Sequence, residues 1–72
     1  MVVYKNLNGN SDVEAFKISD YKIEIKYKGA AKKVTYSYVR AGRYHVEKMK
    51  EFAQRGYGLS SYINQNCRKY HD

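Results

Sequence analysis

Residues 21–28 alternate without a break: Tyr21, Ile23, Ile25 and Tyr27 on one side, Lys22, Glu24, Lys26 and Lys28 on the other. Successive side chains of an extended chain point to opposite faces, so this period of two predicts a strand with one buried and one solvated face. Residues 32–39 repeat the pattern, with Val34, Tyr36 and Tyr38 set against Lys33, Thr35 and Ser37. Gly29-Ala30-Ala31 supplies the turn between them, and so short a connection joins antiparallel neighbours. Ser19-Asp20 marks a tight turn before Tyr21, and residues 12–18 read as a strand of mixed pattern with Phe16 and Ile18 on one side. The result is a three-stranded antiparallel meander. Val2-Val3-Tyr4 leaves room for a fourth, N-terminal edge strand, set off by the turn cluster Asn8-Gly9-Asn10-Ser11.

Arg40-Ala41-Gly42 breaks the alternation, and from about Tyr44 the period becomes helical. Val46, Met49, Phe52 and Ala53 share one face, while Glu47, Lys48, Lys50 and Glu51 are polar. Glu47 and Glu51 are spaced to pair with Lys50 and Arg55. Gly56 is a natural left-handed cap. A second helix follows from about Leu59 or Ser60, with Leu59, Tyr62, Ile63, Cys67 and Tyr70 as its apolar stripe and Ser60 or Ser61 to cap its start. Strands followed by helices predict an α+β fold, with two helices packed on one sheet face. No linker or shift of composition divides the chain, so residues 1–72 read as a single domain.

A chain of 72 residues buries only about 60% of its unfolded surface, so its core is thin. Cys67 is the one cysteine. No internal disulfide can form, and a lone thiol fits a reducing compartment. The first residues show no basic stretch followed by an apolar run, and no apolar run approaches the about 20 residues of a membrane span. These features predict a cytoplasmic protein that does not engage a membrane.

The formal charge is +7, from 14 basic and 7 acidic side chains. Such a field concentrates polyanions, of which nucleic acid is the commonest in cells, although an anionic membrane surface or an acidic protein would answer it equally. Lysine is also the default solvated residue, and charge alone serves solubility. Two groups of basic residues stand out. Lys22, Lys26, Lys28 and Lys33 share the open strand face with Thr35 and Ser37, with Lys17 placed to join them and only Glu24 offsetting the charge; they form either a phosphate-tracking stripe or an ordinary solvated face. Arg40, Arg43, Tyr44 and His45 cluster where sheet gives way to helix, and two arginines beside a helix N-terminus can hold a phosphate.

There are nine tyrosines. A tyrosine ring can stack on a base or fill a thin core. Tyr36 and Tyr38 share a face with Val34, which favours burial over stacking. Cys67 and His71 are four apart, too few to make a metal site with His45 as the only other histidine. Cys67 reads as a core residue, and the scattered carboxylates and lack of a glycine-rich phosphate cradle predict no catalysis, cofactor or small-molecule substrate.

Several of these residues together resemble the KTSC domain, a small domain found alone in many bacterial and phage proteins and at the C-terminus of some lysyl-tRNA synthetases. The likeness covers about residues 11–70. It rests on the Tyr-x-Tyr strand element Tyr36-Ser37-Tyr38, then an amphipathic helix, Gly56, Ile63 seven residues beyond it and the closing Tyr70. Gln54 stands where a serine is usual, the proline common after Tyr-x-Tyr is missing, and the turn at Gly29-Ala30-Ala31 is long. The resemblance implies the same strands-then-helices order and, through the synthetases, an RNA-related role. The expected function is a non-catalytic module binding RNA or other single-stranded nucleic acid. The alternative is a phage- or mobile-element-type module that docks on an acidic protein.

Overall fold

The computed structural model describes residues 1–7, 9, 11–67 and 69–71. The order is β1 (Val2–Val3), β2 (Val13–Ile18), β3 (Lys22–Tyr27), β4 (Val34–Ser37), α1 (Tyr38–Ala41), α2 (Arg43–Arg55) and α3 (Leu59–Tyr62), which runs into a π-helical turn at Ile63–Cys67. The strands form one antiparallel sheet in the order β1-β2-β3-β4. The expected α+β meander with its N-terminal edge strand is therefore the observed fold. Asn8 and Asn10 of the expected turn cluster lie outside the described residues.

Register explains why β2 reads poorly in sequence. Val13 pairs with Tyr27, but Ala15 pairs with Lys26, so Glu14 is an inserted residue. The bulge resets the alternation. Val13 stands before it and Phe16 and Ile18 after it, opposite Tyr27, Ile25 and Ile23 respectively. On the helix side Val13, Ile23, Ile25, Met49, Val46, Leu59 and Cys67 are essentially inaccessible. Tyr36 and Phe16 join this core, with Tyr27, Val34 and Tyr38 packed at its margin. Tyr4 is buried as well, and its hydroxyl accepts the Leu59 N–H at 3.3 Å. Burial pushes the Cys67 thiol pKa up, which keeps the sulfur in its neutral, unreactive form.

Both ends of α2 are set by glycine. Gly42 precedes it at φ 90, ψ 144, and Gly56 closes it in the left-handed region, its N–H returning to the Phe52 carbonyl at 3.0 Å. The Glu47–Lys50 and Glu51–Arg55 pairs form as the spacing predicts, at 3.0 and 2.8 Å.

Four expectations are corrected. Strand β4 stops at Ser37, because the Ser37 side chain accepts the Arg40 N–H and starts a helical turn, so Tyr38 is not in the sheet. Tyr21 precedes β3 and is 71% exposed, outside the buried core that Ile23 and Ile25 of the same alternating run enter. No serine caps α3: it follows left-handed Gly58, and the Ser60 hydroxyl instead donates to Asp12 Oδ1 at 3.0 Å. Tyr70 lies beyond the helical segment and is half exposed, while its N–H reaches the Cys67 carbonyl.

Candidate nucleic-acid interface

The end of β4 is the origin of the site. Ser37 pairs with Lys22 across the sheet, and its side chain caps the turn that carries Arg40. The Tyr38 N–H extends the ladder by one bond, to the Tyr21 carbonyl at 2.9 Å. The chain then passes Gly42 and enters α2 with Arg43 and Tyr44 in the first turn. The corner thus sets Arg43 over the Tyr38 ring, with Tyr21 against that ring, Arg40 and Tyr44 in the adjoining helical turns and Lys22 on the strand opposite Ser37. Sequence reasoning held Lys22 and the arginines to be separate groups; the β3–β4 register sets Lys22 opposite Ser37, three residues before Arg40.

The rings are arranged edge to face or against cations. Tyr21 and Tyr38 meet at 82° with centroids 5.8 Å apart. The Arg43 guanidinium carbon lies 6.0 Å and Lys50 Nζ 5.3 Å from the Tyr38 ring centre. Lys48 Nζ lies 5.7 Å from that of Tyr44, a ring 68% exposed. Val39, in the same turn, is 92% exposed.

The Tyr38 hydroxyl donates to Glu47 Oε2 at 2.5 Å, and Lys50 holds the same carboxylate. These two contacts, the Tyr38 bond first, lower the Glu47 pKa, while the bond to Glu47 raises that of Tyr38. Lys50 also donates to the Asp20 carbonyl at 3.3 Å, so its charge is spent within the fold.

Pairing separates the cations further. Among the described residues Lys22, Arg40 and Arg43 have no carboxylate within ion-pair distance. Lys26 is held by Glu14 at 2.6 Å and Lys33 by Glu24 at 3.3 Å. The open face is thus offset by two carboxylates, and Glu24 is not alone. Lys28 is exposed in the turn after β3, six residues and therefore roughly 20 Å of extended chain from Lys22. His45 meets the Tyr44 ring edge to face with centroids 5.6 Å apart, while its Nδ1 lies 2.7 Å from the Tyr62 hydroxyl on the inner side. Tyr21, Tyr38 and Val39 are the site residues that sequence reasoning missed. The signal available was Ser37, a helix-capping residue at the end of an alternating run.

Among the described residues no three His, Cys, Asp or Glu gather to hold a metal ion, and no helix is long and apolar enough to cross a membrane. The fold and corner define a small α+β domain with a basic, aromatic surface. The chain matches no protein-family model, no curated protein and no solved structure.

Proposed function

We propose that the protein is a non-catalytic module that binds single-stranded nucleic acid, RNA in preference to DNA, at this corner. The observation that carries the reading is that Lys22, Arg40 and Arg43 have no carboxylate within ion-pair distance among the described residues, beside the rings of Tyr21, Tyr38 and Tyr44. Cations follow the phosphates, and the exposed rings of Tyr21 and Tyr44 offer faces to unstacked bases, which a duplex would not present. The first turn of α2 carries no acidic residue, so its free N–H groups add positive potential beside Arg43. The preference for RNA rests on the resemblance to the KTSC domain.

The test is a titration of labelled single-stranded RNA, DNA and a duplex at two salt concentrations. Single strands should bind more tightly than the duplex, RNA more tightly than DNA, and all more weakly as salt rises. Absence of RNA binding at low salt, or salt-independent binding, rejects the reading in favour of an acidic protein partner.

A further inference from the structure

We infer that the free edge of β1 receives an extended segment of a partner protein, apolar on one face and acidic on the other, as an additional strand. Among the described residues the strand order leaves one side of β1 without a neighbour. Proteins usually blunt such an edge by keeping it very short or with charge, proline, a bulge or a covering element, because its unpaired backbone groups template another strand; β1 is short, at two residues, but its apolar side chains continue into the groove beside it. Val2 and Val3 carry no charge and no proline, and they are 60% and 74% exposed. The bulge lies one strand inward, in β2.

Beside this edge runs a shallow groove of about 770 Å³. Val2, Val3, Phe16 and Ile18 line it from the sheet and Ala53 from α2, while Lys5, Lys17 and Lys33 stand at its rim. Lys5 and Lys17 have no ion-pair partner among the described residues, whereas Lys33 is held by Glu24. Register gives the two faces of the visiting strand different requirements. Val2 lies opposite Phe16 on the helix side, so that face meets apolar surface. Val3 lies opposite Ala15 on the open side, next along β2 to Lys17, where acidic side chains are favoured.

The same charges select the kind of occupant. A second copy would bring its own Lys5 and Lys17 against these, in a chain of formal charge +7, and like charges at an interface are disfavoured. A nucleic-acid strand has neither a peptide ladder nor alternating apolar side chains to offer. Strand addition by a protein segment satisfies both the backbone edge and the groove. The groove shares no residue with the corner at Arg40 and Arg43, so the inference stands apart from nucleic-acid binding.

The test follows the backbone amides of the full chain by NMR during addition of a short peptide of alternating valine and glutamate. A peptide with lysine in place of glutamate and a single-stranded oligonucleotide serve as controls. The valine–glutamate peptide should move the amides of Val2, Val3 and Lys17 and leave Arg43 and Tyr44 unmoved. Lys5→Glu with Lys17→Glu, both on the surface, should weaken it about tenfold or more while the remaining amide spectrum stays that of the folded chain. Three results would overturn the inference: no response at millimolar peptide, equal binding of the lysine peptide, or the same amides moved by the oligonucleotide. Concentration-dependent dimerisation abolished by Val3→Glu would overturn it too, assigning the edge to a second copy.

Discussion

The backbone N–H of Tyr38 donates to the carbonyl oxygen of Tyr21 at 2.9 Å, and the two rings meet edge to face with centroids 5.8 Å apart. One backbone bond beyond the sheet therefore holds two aromatic side chains at the protein surface. Tyr36, two residues before Tyr38, points the other way energetically: it is 2% exposed and belongs to the core.

These positions give opposite mutational outcomes. Tyr21→Ala should cost about 1 kcal/mol of stability, the scale of one aromatic pair. It should weaken oligonucleotide binding by about 1–3 kcal/mol, the scale of one stacked base. Tyr36→Ala should cost about 3–5 kcal/mol, a large part of what a small domain has. Chemical denaturation and RNA titration of both variants check this. Unchanged binding by Tyr21→Ala would remove the ring from the site.

Phosphate contacts are read most directly from salt dependence. Each contact on a single strand contributes about 0.7 to the slope of log affinity against log salt. Arg40→Ala with Arg43→Ala should flatten that slope by roughly 1.4 and weaken all sequences alike, since phosphate contacts carry no base information. Lys22→Ala should act in the same direction. Lys26→Ala and Lys33→Ala should change it least, because Glu14 and Glu24 already hold those amines. Equal slopes for wild type and the double arginine variant would contradict the assignment.

Tyr36 makes the fold sensitive to alkali. Burial is the main cause of its raised pKa, and its hydroxyl bonds that of Tyr27, whose pKa burial also raises. In the unfolded chain both titrate near 10. A raised native pKa means that their contribution is fully present below about pH 10 and is lost as pH climbs through the native values. Denaturation midpoints should therefore fall above about pH 10, and Tyr36→Phe should fall less steeply over that range. A parallel decline in the two proteins would point to other groups.

Gly56 is conformationally required. It sits at φ 91, and a Cβ there would approach the Lys5 Cβ to 2.9 Å. Its carbonyl also accepts the Leu7 N–H at 2.8 Å, so the neighbouring backbone cannot simply withdraw. Gly56→Ala should cost at least about 1–3 kcal/mol, measurable by thermal or chemical denaturation. A neutral substitution would mean that the α2 terminus rearranges at little cost.

Local pattern determined much of this protein. Strand β3 was legible because alternation from Lys22 to Tyr27 admits one assignment of faces, and α2 because Val46, Met49 and Ala53 recur at helical spacing before Gly56. Strand β2 was less so, since the bulge at Glu14 changes which residues face inward and only pairing with β3 reveals it. The end of β4 was misplaced because alternation alone cannot tell Tyr36 from Tyr38; the Ser37 cap does, and it acts through a hydrogen bond.

Composition and period were enough to specify strands followed by helices, a thin core and a basic surface, because these follow from each residue's own hydropathy and its neighbours' spacing. Only the tertiary structure decided which basic groups are free. Glu14 neutralises Lys26 from 12 positions away, and Lys22 stands beside Ser37 and the Arg40 turn because of strand register. Charge is a property of each residue, but pairing is a property of distance, and distance between strands is set when the sheet forms.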